Sequence, residues 1–426
     1  MRILSADYVL PISSDPVANG AVVIDGAKIV AVGKRDEMAA NYANAEHEDF
    51  GQAAILPGFV NCHSHLEITA MRGALDEVEH DFSAWLLKLN ELRAGMTERD
   101  IEAAATSGAT EGARAGVTCF GDIGRFGQAG LNALKTVGLR GVLFQETEFS
   151  ADERTADTDF EKLKEKFFYL REQQTGLVEV GVSPHSPYTV SGKLFEKIGR
   201  FALDEKIKIS IHAAESSGED DLLRCGTGFF TEVYKKFGVE WASPLCTPIE
   251  FLSSTGVLDT GPLLAHCVQA SDSDIAIIAS SGASIAHCPK SNAKFGHGSA
   301  PLEKFFDARI PVGLGSDSVA SNNICDLLEE SRYAALAARN RNGRRRFISA
   351  SEILRAATLG GAQALGLDQK IGTLEVGKEA DIAVVSLSEI SHQPVSDVYA
   401  AMVFSACGRD TVLTLVAGRE VFRRGV

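Results

Sequence analysis

Histidine and aspartate residues recur at the ends of apolar, strand-like segments of this chain. The segment AAILPGFVNC (residues 53–62) leads directly into His63, Ser64 and His65. Alternate residues of a strand point to the same side, so His63 and His65 can face one metal ion. Later strand-like segments end in the same manner, at His185, His212, His266, His287 and Asp317. Repeated placement of such side chains at strand ends predicts one site on the rim of a barrel.

Strand-like segments alternate with amphipathic helical segments between about residues 57 and 367. Helices are predicted near residues 98–115, 160–173, 192–205, 271–280 and 301–308. Eight strand–helix units in series predict an α/β fold of the (β/α)8 TIM-barrel type, with residues 57–367 as the catalytic domain.

The two ends of the chain, residues 1–56 and 368–426, carry short β-branched segments punctuated by glycine turns. Chain termini often lie close together in folded domains. We therefore expect both ends to form one composite β-sandwich domain beside the barrel.

Composition limits the partners and the compartment. The formal net charge of −15 argues against binding to nucleic acid or an anionic membrane, since both favour basic patches. The N-terminal MRILSADYVL lacks the apolar stretch of a signal peptide, and no segment is long enough to span a bilayer. The eight cysteines are scattered without a CxxC pair. We expect a cytoplasmic protein whose partner is a small molecule.

Three imidazoles and one carboxylate form a good ligand set for Zn²⁺ or Fe²⁺ that leaves a position for water. The candidate ligands are His63, His65, His212 and Asp317. Any one of these residues alone is better explained as a hydrogen-bonded structural residue. The four together, at strand ends in barrel order, favour a metal site.

Seven motifs together resemble the amidohydrolase superfamily over essentially the whole chain: PGFVNCHSH, SPHSPYT, IHAAES, LAHC, HCPKSN, LGSDS and GTLEVGKEADI. They are most similar to the mononuclear aminohydrolases, which deaminate purines, pyrimidines and related rings. In that branch a glutamate follows the strand-five histidine by three residues, as Glu215 follows His212 here. The binuclear branch normally has a bridging carboxylated lysine in the segment VEVGVSPHSPYT, which contains no lysine here. The resemblance implies one divalent ion, with Zn²⁺ expected before Fe²⁺.

The resemblance also implies catalytic roles. Asp317 would be both a metal ligand and the hydrogen-bond acceptor for a water molecule that the metal makes more acidic. His266 would orient or deprotonate that water rather than bind the metal. Glu215 would protonate the ring nitrogen next to the attacked carbon and then carry a proton to the departing ammonia.

Four residues are candidates for contact with the substrate. His185 resembles the substrate-contacting histidine of nucleoside deaminases, although a capping role in its proline-bounded turn is the alternative. Glu67 lies two residues past His65 and is expected to continue the same face into the pocket, where it would accept hydrogen bonds from substrate. Trp85 could cover a flat ring or belong to the core. Glu146 follows the third barrel strand.

The segment FQETEF (residues 144–149), the F-x-x-W segment and the spacing of Glu215 and Glu219 are most similar to aminodeoxyfutalosine deaminases. Those enzymes act on an adenine-bearing nucleoside of a menaquinone pathway. S-adenosylhomocysteine deaminases tend to have an arginine near Glu146, where a glutamate would repel a carboxylate. Arg93 or Arg125 could compensate.

Several alternatives remain open at this point. Adenosine, methylthioadenosine and S-adenosylhomocysteine rank behind aminodeoxyfutalosine as substrates. A dechlorinase or deaminase of an s-triazine or other small heterocycle would use the same metal set. A non-catalytic barrel protein is the remote alternative, because such relatives would be expected to lose ligands. A homo-oligomer is expected from the resemblance, but no interface can be identified.

Overall fold

Strands from the middle of the chain form a barrel, and strands from both ends form a separate sheet, in the computed structural model, which describes residues 1–425. The N-terminal strands are β1 (Arg2–Val9), β2 (Val17–Asp25), β3 (Lys28–Lys34), β4 (Glu46–Asp49) and β5 (Ala53–Pro57). The middle strands are β6 (Phe59–Ser64), β7 (Val117–Gly124), β8 (Arg140–Glu146), β9 (Val178–Ser183), β10 (Ser210–Ala213), β11 (Leu263–His266), β12 (Ser284–His287) and β13 (Val312–Leu314). The C-terminal strands are β14 (Ile382–Ser386), β15 (Thr411–Val416) and β16 (Arg419–Arg423).

The middle strands close into a parallel barrel. Strands β6 to β9 form one four-stranded parallel sheet in sequence order, and β10 to β13 form another. Parallel bridges between Val182 and Ile209 and between Ser64 and Asp317 join the two sheets on both sides. Every barrel strand therefore has a neighbour on each side, and the predicted (β/α)8 TIM barrel is confirmed.

Helices surround the barrel and cover its upper rim. Their bounds are α1 (Arg35–Asn41), α2 (Phe82–Ala94), α3 (Glu98–Arg114), α4 (Gln128–Val137), α5 (Ala156–Arg171), α6 (Gly192–Glu205), α7 (Ser217–Cys225), α8 (Phe229–Lys236), α9 (Pro248–Ser254), α10 (Asp272–Ser281), α11 (Pro289–Lys294), α12 (Leu302–Asp307), α13 (Val319–Asn322), α14 (Leu327–Asn342), α15 (Ala350–Arg355), α16 (Gly361–Ala364) and α17 (Val398–Phe404). The helices predicted near residues 98–115 and 192–205 are present as α3 and α6. Within residues 1–425, no helix is both long and apolar enough to cross a membrane.

Helix α6 illustrates why these segments fold as they do. Leu194, Phe195, Ile198 and Ala202 recur at helical spacing, and all four are buried against the barrel. At the start of α3, the Thr97 hydroxyl and the Asp100 carboxylate form a reciprocal capping box that satisfies free backbone N–H groups.

The terminal strands form one continuous sheet in the order β16-β15-β14-β5-β1-β2-β3. The expected β-sandwich is hydrogen-bonded as a single sheet because β1 pairs with β2 on one side and with β4 and then β5 on the other. Side chains alternate between two environments, as the period of a strand requires. In β14, Ile382 and Val384 face the core of the terminal sheet, whereas Ala383 and Val385 face the core of the barrel.

A buried ion pair connects the barrel to the terminal sheet. Arg140, at the start of β8, is 1% exposed, and Asp381, next to β14, is 3% exposed. The Arg140 Nε donates to Asp381 Oδ2 at 2.8 Å, and a terminal guanidinium nitrogen of Arg140 contacts Glu379. Asp381 Oδ1 also accepts a hydrogen bond from the backbone N–H of Ala417 at 2.8 Å. One carboxylate therefore joins β8, β14 and the turn between β15 and β16.

Candidate active site

The carboxyl ends of three barrel strands bring four side chains together. His63 lies in β6, His65 follows β6, His212 lies in β10 and Asp317 follows β13. The Nε2 atoms of His65 and His212 are 3.2 Å apart. Asp317 Oδ1 lies 3.6 Å from His63 Nε2 and 3.5 Å from His65 Nε2. The three histidines offer ligand atoms within 4.8 Å of one another, which is a suitable arrangement for one metal ion.

The state of these side chains fits a divalent cation. Both ring nitrogens of His63 are buried without a hydrogen-bond partner. Burial lowers the pKa of His63 to about 4 and that of His212 well below its usual value, so both imidazoles are neutral and have a free lone pair. Burial acts to raise the pKa of Asp317, but the neighbouring side chain of His63, followed by His65 and His266, holds it well below the usual range. A cation would supply the partner that the two buried nitrogens of His63 lack in hydrogen bonding.

Hydrogen bonds orient the ligand atoms. Asp317 Oδ2 accepts from the hydroxyls of Ser291 at 2.6 Å and Ser321 at 3.0 Å, which leaves Oδ1 facing the histidines. His212 Nδ1 lies 3.0 Å from the backbone carbonyl of His185, so Nδ1 carries the proton and Nε2 is free to bind. The sequence did not identify Ser291 as a partner of Asp317. Ser291 lies in α11, which follows β12, the strand paired with β13, so its contact with Asp317 depends on how this helix packs beside the neighbouring strand.

Backbone strain marks the same rim. Ala214, His266 and Asp317 adopt positive φ angles of 50°, 72° and 58°, which non-glycine residues rarely do. Each residue lies where a strand ends and the chain turns toward its helix. The backbone N–H of Asp317 donates to the carbonyl of His63 at 2.9 Å, which stabilises this turn. Strain of this kind is characteristic of functional sites.

Glu215 and His266 lie beside the ligand cluster. Glu215 is 4% exposed, and its Oε1 is 3.7 Å from His266 Nε2. Burial raises the pKa of Glu215, which suits a group that both gives and accepts a proton. His266 Nδ1 is 2.9 Å from Asn292 Oδ1, so this contact directs His266 Nε2 toward Glu215. The sequence placed both residues at the site but did not identify Asn292 as the partner of His266.

Glu219 holds the backbone that carries Glu215. Its carboxylate accepts hydrogen bonds from the N–H groups of Ala214 at 3.2 Å and Glu215 at 2.8 Å. Glu219 is fully buried, and burial raises its pKa to about 8. The spacing of the two glutamates was noticed in the sequence, but this contact depends on the turn at Ala214.

A cavity of about 350 Å³ opens above these residues. Its floor contains His65, His212, Glu215, His266 and Asp317. Its walls are largely apolar and come from α2, α8 and the segment after β8. A concave apolar space above convergent polar groups is the usual form of a small-molecule site.

Three of the four predicted substrate contacts line this cavity, namely His185, Trp85 and Glu146. His185 Nε2 lies 3.8 Å from Glu146 Oε1, and Nδ1 lies 2.8 Å from the Thr189 hydroxyl. Burial acts to raise the pKa of Glu146, but the positive field of His185 and Arg93 lowers it. Trp85 forms part of the cavity wall and also packs edge-to-face on Phe295. Its position therefore agrees both with a cover for a flat substrate ring and with a core residue.

The structure places Glu67 outside the cavity lining. Its carboxylate accepts hydrogen bonds from the backbone N–H groups of Phe126 at 3.1 Å and Gly127 at 2.7 Å, and so shapes the loop after β7. Glu67 does not continue the face of His63 and His65 because the strand ends at Ser64. From Leu66 the chain turns as a 3-10 helix, and the alternation of a strand no longer applies.

Two arginines line the cavity wall, although the sequence could not predict their position in the structure. Arg93 comes from the last turn of α2, and Arg125 directly follows β7. The Nε atom of each is buried without a hydrogen-bond partner. Burial lowers the pKa of Arg93, although the charge of the nearby Glu146 acts to raise it. Two guanidinium groups with unsatisfied donors favour an anionic group in the space between them.

Comparison with known proteins covers nearly the whole chain. The amidohydrolase family profile matches residues 54–421, and a profile for a bacterial imidazolonepropionase-like composite domain matches residues 20–45. A curated relative, the 5-methylthioadenosine/S-adenosylhomocysteine deaminase of Moorella thermoacetica, is 31% identical over 421 residues. The match covers 98% of this chain and 93% of the relative.

Solved structures share the fold. An adenosine deaminase from Xanthomonas campestris, solved with bound zinc, superposes with a TM-score of 0.84 at 27% identity, covering 98% of this chain and 92% of that one. A triazine hydrolase from Arthrobacter aurescens superposes with a TM-score of 0.85 at 25% identity, covering 99% of this chain and 95% of that one.

Proposed function

This chain belongs to the amidohydrolase family, and from that premise we propose that it hydrolyses the amino group from the adenine ring of a nucleoside and releases ammonia. One observation carries the proposal. Glu215, buried and with a raised pKa, lies 3.7 Å from His266 Nε2 in the same cavity as the four candidate ligands. A buried acid beside a metal-binding cluster is what ring deamination requires.

We propose that His63, His65, His212 and Asp317 hold one divalent ion, Zn²⁺ before Fe²⁺. The neutral imidazoles and the ionised carboxylate described above suit either metal. Bound there, the ion would act as a Lewis acid that makes a water molecule nucleophilic near neutral pH. The Xanthomonas campestris adenosine deaminase with bound zinc supports the choice of Zn²⁺.

The side chains of this chain then divide the proton transfers. Glu215 donates a proton to the ring nitrogen next to the attacked carbon, and His266 Nε2 accepts a proton from the attacking water. That proton passes through Glu215 to the departing amino group. The remaining water proton passes from the new hydroxyl group to Glu215 as the carbon–oxygen double bond forms and the carbon–nitrogen bond to ammonia breaks. Glu215 thereby regains the proton that it gave to the ring nitrogen, and one water molecule balances the hydrogen on that nitrogen and the third hydrogen of ammonia.

The outer part of the cavity supports a narrower substrate class. Phe149, Phe229 and Phe230 present an aromatic wall, and Arg93 and Arg125 present unsatisfied donors in the same space. An aromatic ring with a carboxylate would pack on that wall and satisfy the arginines. We therefore favour an aminodeoxyfutalosine-like nucleoside, and with it a role in menaquinone synthesis.

Methylthioadenosine is less suitable because it has no charge and would leave the buried Nε atoms of Arg93 and Arg125 without a partner. S-adenosylhomocysteine has a carboxylate but no second aromatic ring to pack on the aromatic wall. We assign Glu146, which lies 3.8 Å from His185 Nε2 and whose pKa the charge of Arg93 helps to lower, to the ribose hydroxyls.

A substrate screen tests the proposal. Zinc-reconstituted protein is incubated with aminodeoxyfutalosine, adenosine, methylthioadenosine, S-adenosylhomocysteine and a chlorinated triazine, and ammonia, chloride and the change from adenine to hypoxanthine absorbance are followed. We expect the highest kcat/KM with aminodeoxyfutalosine. Preference for another adenosine derivative would support the proposed deamination but contradict the proposed substrate. Chloride release alone would favour the triazine alternative.

A further inference from the structure

His297 is a buried histidine that belongs to none of the sequence motifs and has no part in the reaction described above. It follows α11 in a turn where Gly296 and Gly298 have φ angles of 66° and 108°. Its side chain is 7% exposed, and its Nε2 is buried without a hydrogen-bond partner among residues 1–425. A buried polar atom without a partner is rare enough to need an explanation.

The unpartnered nitrogen faces the proposed proton donor. His297 Nε2 lies 3.8 Å from Glu215 Oε1, and His266 Nε2 lies 3.7 Å from the same oxygen. Glu215 Oε1 therefore lies near two imidazole nitrogens. A side-chain adjustment of roughly 1 Å would bring either nitrogen to hydrogen-bonding distance, and such contacts commonly shorten when substrate binds.

Only one of the two imidazoles can offer an N–H group to that oxygen. His266 Nδ1 is paired with Asn292 Oδ1 at 2.9 Å, so the proton is on Nδ1 and Nε2 presents a lone pair. Burial lowers the pKa of His297 to about 4, so this ring is neutral near pH 7 and carries one proton. With that proton on Nε2, the buried nitrogen is a donor, and Glu215 Oε1 is the acceptor that it faces.

The surroundings of His297 hold the ring in this position. Phe82 packs edge-to-face on it with ring centroids 4.7 Å apart, and Phe295 lies 5.2 Å away. The carbonyl of His297 accepts a hydrogen bond from Gln269 Nε2 at 2.9 Å. The backbone N–H of Gln269 donates to the carbonyl of Ala214 at 2.8 Å. Gln269 therefore ties the His297 turn to the residue before Glu215.

We propose that His297 is a positioning residue that donates its Nε2–H to Glu215 Oε1 and keeps Oε2 directed at the ring nitrogen of the substrate. His297 keeps its proton throughout and takes no part in the proton balance. This inference rests on the proposed deamination and adds a residue that orients its acid.

Two substitutions separate positioning from packing. His297→Phe keeps the aromatic contacts with Phe82 and Phe295 but removes the donor, whereas His297→Gln keeps an N–H at a similar reach. We expect His297→Phe to lower kcat by roughly 10- to 100-fold, with KM within about twofold and unchanged zinc content. We expect His297→Gln to recover most of kcat. Normal kcat in His297→Phe, or an equal loss in both variants, would overturn the proposal.

A spectroscopic measurement tests the contact without turnover. Long-range ¹H–¹⁵N spectra of histidine-labelled, zinc-loaded protein report which ring nitrogen is protonated, with the His297 signals assigned by their loss in His297→Phe. We expect a protonated Nε2 whose signal moves in Glu215→Gln and stays in place in Glu148→Gln, a cavity carboxylate further out. A proton on Nδ1, or no response to Glu215→Gln, contradicts the inference. If no nucleoside is deaminated, the proposed reaction fails and these spectra still decide the contact.

Discussion

Single side chains at this site take their chemical state from burial. His63, His212 and His185 have lowered pKa values because burial disfavours the charged imidazole. Glu215 has a raised pKa for the same reason, since burial also disfavours the carboxylate. Burial thus favours neutral candidate nitrogen ligands and a carboxyl group that takes up a proton more readily in one cavity, which are two requirements of the proposed deamination.

Replacement of Glu215 tests the assigned acid. Glu215→Gln keeps the size and polarity of the side chain but cannot carry a proton, so kcat should fall by about 10²- to 10⁴-fold. Zinc content should stay at the wild-type level because Glu215 is not a proposed ligand. Steady-state kinetics and metal analysis check both expectations. Glu161→Gln, which changes an exposed glutamate on α5 outside the cavity, is the matched control. Near-normal kcat in Glu215→Gln would remove its assigned role.

The two cavity arginines give a test of substrate class. Arg93→Met and Arg125→Met keep the aliphatic stems and remove the charged donors. For a nucleoside with a carboxylate, kcat/KM should fall by roughly 10- to 100-fold in each variant. For methylthioadenosine the change should stay below about threefold, because that substrate has no charge to lose. Equal losses with both substrates would indicate a structural role for the arginines and argue against a carboxylate subsite.

At the scale of elements, the connection from β10 to α7 determines where the acid lies. The chain turns at Ala214, Ser216 caps α7, and the Glu219 carboxylate binds the N–H groups of Ala214 and Glu215. A side chain in the first turn of the helix therefore holds the residue before the helix. This arrangement explains why a glutamate four residues after Glu215 affects the site without entering the cavity.

The raised pKa of Glu219 predicts a pH-dependent stability. Its pKa is about 8 in the folded protein against an ordinary value of 4.5, so the folded state binds more protons between these values. Glu219 contributes its full share of the unfolding free energy below pH 4.5, and this contribution is lost as the pH rises through about 8. Relative to Glu219→Gln, the wild type should lose on the order of 3 kcal/mol of unfolding free energy between about pH 5 and pH 8.

Denaturant unfolding of both proteins across that range measures the difference. Glu148→Gln should run parallel to the wild type because its carboxylate is exposed. If the unfolding free energies of Glu219→Gln and the wild type changed in parallel with pH, Glu219 would be ionised in the folded protein over this whole pH range.

The whole molecule depends on contact between the barrel and the terminal sheet. Asp381 accepts hydrogen bonds from Arg140 and from the backbone of Ala417, and all of these groups lie at the junction. The domain boundaries at residues 56/57 and 367/368 stay predictions, as does the homo-oligomer. The junction itself joins residues more than two hundred positions apart.

Removal of Asp381 measures the strength of that junction. Asp381→Ala leaves the Arg140 guanidinium buried with only Glu379 as a partner, so unfolding free energy should fall by about 3–5 kcal/mol. Denaturant unfolding is the measurement. Glu161→Ala, which removes an exposed partner of Lys164 on α5, is the control and should leave the midpoint unchanged. A loss below about 1 kcal/mol for Asp381→Ala would show that the junction does not need this pair.

The sequence by itself determined the class of fold and the grouping of the candidate metal ligands. Strand periodicity and the parallel order of a barrel place every strand end on one rim, so His63, His65, His212 and Asp317 could be grouped without coordinates. The expected strand face does not extend to Glu67, because the strand ends at Ser64. Tertiary structure alone decided the positions of Arg93, Arg125, Asn292 and His297. These side chains come from helices and turns, and their directions depend on packing between segments distant in the chain, which local periodicity does not encode.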